Sequence, residues 1–297
     1  MLKINKRNPL LWLYLFGAIL LLVGGYLWCF RSAMDPERVF WGTVQHSLAT
    51  KGVTIESEQS GGGTTVHQTI QYSFGSANMS HSITKMSQAG TTVRNEMLAT
   101  PTADYSRYLG IKTDQKKADG SALDFSKIIG VWAKGQEGAG QFFDQAVFGS
   151  SLPVGGMGLP IANISADMRG KLYSQIRNDA VYQVDFKNVK KTSRQGRSVY
   201  TYKVVVQPVA YAKLMKSYAK VLGLHSLDQL EPDQFRGQKP FTLSFTIDAR
   251  ARQVVEIATP DTGLKQTYTS YGVPVHMQLP SKTITGQELQ KRLSELQ

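Results

Sequence analysis

The chain has 297 residues, 41% of them hydrophobic, 10% aromatic and 19% charged, with 34 Lys and Arg against 22 Asp and Glu and a formal net charge of +12 at pH 7. That apolar and aromatic content argues against a disordered stalk, and the length suffices for one large domain or two small ones with a real core. The single cysteine, Cys29, leaves no intrachain disulfide to form and no thiol nucleophile after residue 29.

Residues 1–9 form a basic tail with Lys3, Lys6 and Arg7. Leu10–Phe30 follows without a charge or a proline, and at about 1.5 Å per residue a helix of this stretch covers the roughly 30 Å hydrocarbon core of a bilayer. Trp12, Tyr14, Tyr26 and Trp28 lie near its two ends, as interfacial aromatics do. Cleavage after Ala33 would place Arg31 where a signal peptidase needs a small residue, and Leu27-Trp28 before Cys29 does not fit a lipoprotein signal. The stretch therefore predicts a retained single-pass anchor in the cell membrane. Because basic residues stay on the cytoplasmic side, the N-terminus is expected inside and residues 35–297 outside, joined by the linker 31–34. Three of the twelve net positive charges lie in the tail, and the nine left to the rest of the chain favour anionic surfaces, although plain solubility accounts for them equally well.

Asp35-Pro36 opens a helix with Phe40, Val44 and Leu48 on one face. From Val53 the period changes to two. Thr64–Phe74 alternates Val66, Ile70, Tyr72 and Phe74 with polar residues, and further strands are predicted at Met79–Met86, Thr92–Leu98 and Tyr105–Leu109, together an antiparallel meander. Glycines interrupt 115–165, which reads as an insertion with short helices at Leu123–Trp132 and Gln141–Phe148 and a flexible apolar loop carrying Met157 and Leu159. Ser165 caps a helix with Met168, Leu172 and Ile176 on one face. Strands at Ala180–Val189 and Ser198–Val206 then form a hairpin around Ser193–Gly196. Val209–Leu222 is the cleanest helix, with Tyr211, Leu214, Met215, Tyr218 and Leu222 on one face and Gly223 as its stop, and Leu227–Phe235 predicts a short second helix. Strands at Phe241–Ile247, Gln253–Ala258, Leu264–Tyr271 and Val273–Leu279 lead to a last helix capped by Thr285 and Glu288.

This order of elements, with the sheet ending in Tyr268-Thr269-Ser270-Tyr271-Gly272-Val273-Pro274-Val275-His276-Met277-Gln278-Leu279-Pro280, resembles the LolA/LolB-like superfamily of lipoprotein carriers and its mycobacterial glycolipid-binding lipoprotein relatives over about Asp35 to Leu279. The resemblance implies an α+β fold in which a large curved antiparallel sheet, a half-barrel, holds acyl chains on a concave apolar face covered by helices. Two departures stand out. Members are commonly soluble or lipid-anchored, whereas this chain carries the apolar stretch 10–30, and 115–165 has no counterpart; no family binding residue is carried over.

No sequence motif fixes a chemistry. The five histidines lack metal-ligand spacing; His67 and His81 are placed to face each other across a hairpin, and Glu56 and Glu58 share a strand face, but a solvated strand surface explains both pairs. Neither a nucleophile elbow nor a phosphate-binding loop is present, so the chain reads as a non-enzyme with no cofactor. Nucleic acid is a poor partner because the aromatics sit on faces that a core would claim. Two readings remain. In one, the domain holds a lipid or lipidated ligand, with Tyr211, Leu214, Met215, Tyr218 and Leu222 lining or plugging the sheet, Met157 and Leu159 forming a mobile lip, and Lys190, Lys191, Arg194 and Arg197 touching an anionic surface. In the other, it is an anchored protein-interaction or envelope-assembly subunit with no small ligand.

Overall fold

The computed structural model describes residues 34–75, 77–135, 142–143, 158–225, 227–260, 263–273 and 277–296. The expected span, residues 10–30, lies outside them; among the described residues no helix is long and apolar enough to cross a membrane.

Helix α1 (Pro36–Ser47) starts where Asp35 accepts a hydrogen bond from the Arg38 amide at 3.1 Å, with Pro36 at the position where a missing N–H costs nothing. Strands β1 (Gly52–Gly61), β2 (Thr64–Phe74), β3 (Asn78–Gln88), β4 (Thr91–Ala99) and β5 (Asp104–Lys112) form the meander that the two-residue alternation predicts. After the short β6 (Ala133–Lys134) come α2 (Ala166–Asn178), β7 (Tyr182–Val184), β8 (Lys190–Arg194), β9 (Arg197–Val206) and α3 (Pro208–Leu222). Strands β10 (Phe241–Asp248), β11 (Gln253–Thr259) and β12 (Leu264–Thr269), then the two-residue β13 (Ile284–Thr285) and α4 (Gly286–Ser294), complete the chain.

The two meanders fuse into one open sheet in the order β13-β6-β5-β4-β3-β2-β1-β12-β11-β10-β9-β7, with β8 also on β9. The joint is the antiparallel pairing of β1 with β12, which sets Ile55 opposite Tyr268. The expected sheet was wholly antiparallel. The observed one is mixed, because β13 pairs with β6 in parallel at its edge.

Alternation separates the two faces. On the inner face Ile55, Ile70, Tyr72, Tyr202, Phe245 and Tyr268 join one core with Val39, Phe40 and Val44 of α1, Leu172 and Ile176 of α2 and the apolar side of α3. The outer face carries an unbroken cross-strand row, Lys190–Thr201–Thr246–Glu256–Thr267–Glu56–Thr69. β-branched and charged residues suit such a pleated surface open to water.

Several predicted elements differ. Leu123–Trp132 is not a helix: the Asp124 carboxylate accepts the Ser126 amide at 2.9 Å, and this local turn competes with helical hydrogen bonding. Ala180–Val189 breaks after Val184, because Asp185 caps a short 3-10 turn at Phe186–Asn188. Leu227–Phe235 contains only a 3-10 turn, Pro232–Phe235. The described part of Val273–Leu279 is not a strand, and 274–276 lie outside the described residues. Most of the expected helix Gln141–Phe148 and the loop residue Met157 also lie outside them. The 115–165 stretch does not stand apart from the fold, since Ile128, Phe143, Leu159 and Ile161 are buried.

Gly52 shows how closely the chain folds back at the end of the sheet. A Cβ there would stand 2.9 Å from the carbonyl oxygens of both Tyr72 and Val273, and neither backbone can swing away as a side chain would. Gly52→Ala is therefore expected to lower stability by about 2–3 kcal/mol, read as a shift of the urea unfolding midpoint. A variant as stable as the parent would contradict this packing.

Candidate functional site

Helix α3 owes its burial to its pattern. Tyr211, Leu214, Met215, Tyr218 and Leu222 recur at three- and four-residue spacing and are at most 7% exposed, whereas Lys213 and Lys220 point to water. Gly223 closes the helix in the left-handed conformation, and its N–H bonds back to the last turn. This face plugs the sheet.

The plug is fastened through tyrosine hydroxyls. Tyr182 donates to the Gly158 carbonyl at 2.7 Å, Tyr211 bonds the same carbonyl, and Tyr218 donates to the carbonyl of Ile161. Backbone bonds Ala162 N–H to Ser47 and Thr50 N–H to Ala162 tie the segment to the end of α1. Leu159 is accordingly 1% exposed and in the core, not on a mobile lip. The reason is chemical: buried phenols need acceptors, and the free carbonyls of an irregular segment supply them. Burial pushes the pKa values of Tyr72, Tyr182, Tyr211, Tyr218 and Tyr268 above the ordinary phenol value.

Space opens beside this plug. Helices α2 and α3 pack against each other, and between them and the β2–β3 turn lies a cleft of about 690 Å³. Its floor is apolar, made by Ile164, Met168, Leu172, Val221 and Leu222. Its rim is polar, with Asn78, Gln175, Lys171 and Lys220. Asn163 holds one wall by donating from Nδ2 to the Phe74 carbonyl at 3.3 Å. Lys171 pairs with Asp167 at 2.7 Å, but both side chains are more than two-thirds exposed, so the pair holds the amine only weakly. An apolar floor under a cationic and amide rim matches an amphiphile with an anionic or hydrogen-bonding head. The volume exceeds the roughly 300 Å³ at the lower end of small-molecule sites.

Of the expected ligand-contacting residues that are described, only Leu222 reaches this cleft; Tyr211, Leu214, Met215, Tyr218 and Leu159 stay in the core, and Met157 lies outside the described residues. Met168 and Leu172 were legible as one helix face, but Asn163, Ile164 and Val221 carry no signal in the sequence beyond ordinary polarity.

Elsewhere the surface is less suggestive. Glu56, Glu58, His67, Lys85 and Lys265 line a shallow cleft of about 450 Å³ on the outer face, where Glu58 and His67 are a half-exposed pair at 3.7 Å. His67 does not face His81: it lies opposite Lys85, and His81 lies opposite Gln71. His81 instead bonds Glu96 at 2.8 Å, Glu96 receives Arg107, and the Arg107 guanidinium stacks on Trp132 at 4.5 Å. These contacts tie the neighbouring strands β3, β4 and β5 together. Among the described residues no group of three or more His, Cys, Asp or Glu is placed to hold a metal ion.

The hairpin closes within the predicted Ser193–Gly196, at the two-residue turn Gln195-Gly196 in left-handed conformations at φ 51° and 74°, but its first strand is β8 and not the expected Ala180–Val189, so the basic residues Lys190, Lys191 and Arg194 lie along a strand. Arg194 reaches Glu256 at 3.8 Å and Arg197 reaches Asp248 at 3.7 Å, while Lys191 lies over the Tyr200 ring at 5.3 Å. Lys190 is exposed at the start of β8. No protein-family model matches the chain, and no curated protein matches it at a significant level.

Proposed function

We propose that this protein is a membrane-anchored binding protein of the cell surface whose C-terminal domain holds the apolar part of a lipid or lipidated molecule in the cleft between α2 and α3. The observation that carries this reading is the cleft itself, apolar below and lysine-rimmed above. Its wall is tied to the far end of the helix by which the chain enters the domain: the Ile164 amide donates to the Leu48 carbonyl just beyond the end of α1, and α1 begins at Pro36. Twelve residues of helix, about 18 Å, separate the entry from the cleft. With residues 10–30 in the bilayer and 31–34 as the linker, the cleft lies within reach of the outer leaflet. A half-barrel of the LolA/LolB-like kind is the architecture that this reading implies, with one change: the ligand lies beside the helix that fills the sheet, not beneath it.

The filled sheet face also favours a second reading, an anchored interaction or assembly subunit without a small ligand. Native mass spectrometry of the full chain, released from membranes in mild detergent and followed by lipid extraction, separates the two. Lipid is expected to co-purify with the parent, and Met168→Glu is expected to reduce it about tenfold or more, because an acyl chain would then lie against a charge. Met168 lines the cleft floor but is only half-buried, so the unfolding midpoint should stay near the parent's. A parent that carries no lipid, or a variant that carries as much as the parent, would favour the second reading.

A further inference from the structure

The hairpin β8–β9 and the entry of the chain are neighbours in space. Tyr200 donates from its hydroxyl to the Met34 carbonyl at 3.0 Å, and Tyr202 donates to the Pro36 carbonyl at 3.0 Å. Lys191, opposite Tyr200 in the register, lies over that same ring at 5.3 Å. One tyrosine ring therefore separates the basic hairpin from Met34, at the entry of the domain.

Geometry then bounds how far the hairpin can stand from a bilayer. Only four residues, 31–34, separate Phe30 from this point, and four fully extended residues reach about 14 Å at most. The headgroup layer takes up roughly 5–7 Å of that on each side, and the screening length at physiological salt is about 8 Å. The hairpin is thus within electrostatic range of the headgroups even with the linker stretched.

Its charge has one sign in excess. Lys187, Lys190, Lys191, Arg194 and Arg197 are exposed, and Arg250 joins them on the β10–β11 turn, where the Ala249 amide donates to the Ser198 carbonyl at 3.0 Å. Among the described residues, four carboxylates lie near them, each already engaged: Asp35, close enough to act on Tyr200 and Tyr202, accepts the Arg38 amide at 3.1 Å. Glu256 is held by Lys265 at 2.8 Å as well as by Arg194. Asp248 accepts the amides of Arg250 and Ala251 at 3.0 and 2.9 Å, and Asp185 is tied to Asn188 at 2.6 Å. The Arg194 and Arg197 side chains remain 57% and 76% exposed, free to turn toward a second anionic partner.

Resting on the anchor reading above, we propose that the β8–β9 hairpin and the adjoining β10–β11 turn dock on the anionic headgroups of the bilayer that holds residues 10–30, fixing the orientation of the domain. Such docking sets the strands with their Arg197 end toward the membrane and their Ser60 end away from it.

The test uses the full chain with Cys29→Ser, labelled with a fluorophore through Ser193→Cys on the hairpin or, separately, Ser60→Cys at the far end of β1, more than about 20 Å away along the strands. Each is reconstituted into vesicles of phosphatidylcholine alone or mixed with phosphatidylglycerol, both containing a headgroup-bound quencher. Quenching at Ser193 is expected to be about twofold or more stronger in the anionic vesicles, to fall to the neutral level in roughly 1 M salt, and to weaken in Lys190→Gln/Lys191→Gln, with no such change at Ser60. Equal quenching at Ser193 in both vesicles, in a chain that floats with both at high salt, would overturn the docking and leave the anchor standing. A chain that floats with neither at high salt would overturn the anchor and the docking together. Charge-dependent quenching of equal size at both labels would show general attraction and overturn a specific orientation.

Discussion

Raising the pH from about 9 to about 11 is expected to unfold the domain in one step, with tyrosine as the cause. A phenol in the unfolded chain ionises near 10. In the folded domain Tyr72, Tyr182, Tyr211, Tyr218 and Tyr268 are buried, and desolvation holds each of them above that value. Between the two values the folded state keeps protons that the unfolded state releases. The stabilisation is therefore complete below about pH 10 and is lost as the pH rises toward the folded values. One unit above the unfolded value each group costs about 1.4 kcal/mol, and five together cost up to about 7 kcal/mol, comparable to the 5–15 kcal/mol total stability of ordinary domains. Phenolate absorbance and far-ultraviolet circular dichroism, followed together, should change at the same pH. Phenolate absorbance that develops fully near pH 10 while the dichroism stays native would show that these hydroxyls are open to water.

Leu214→Asp is expected to abolish the fold rather than to tune binding. Leu214 is fully buried at the centre of the α3 face. Removing the leucine forfeits about 2–3 kcal/mol of burial, and a carboxylate without a partner in that setting costs several more unless it is protonated. The sum reaches the whole stability of a typical domain. The measurements are soluble yield and the cooperative unfolding transition, with Leu214→Met as the control, expected to lose less than about 1.5 kcal/mol. If Leu214→Asp folded with a normal transition, the α3 face would have to be lining space instead of filling it. The contrast with Met168→Glu, at the cleft, separates the helix face that holds the fold from the surface proposed to hold a ligand.

Elements whose cause is local were legible from residue order alone. The alternation of Val66, Ile70, Tyr72 and Phe74 places β2 at Thr64–Phe74 to the residue, because side chains of successive strand residues must point to opposite faces. The spacing along α3 and the capping side chains of Asp35, Ser165 and Thr285 place the starts of the helices within a residue or two, because those hydrogen bonds span only three residues. Other features depend on partners far away in the chain. The β1–β12 pairing that joins the meanders, the parallel contact of β6 with β13, and the use of the Gly158 and Ile161 carbonyls as acceptors for three tyrosines all arise from long-range packing. Whether the α3 face lines a cavity or fills one is a question of volume, and volume belongs to many side chains at once. The cleft has the same origin: Ile164 and Met168, at the start of α2, lie far in the chain from Val221 of α3, and their apolar surfaces meet because α2 packs beside α3.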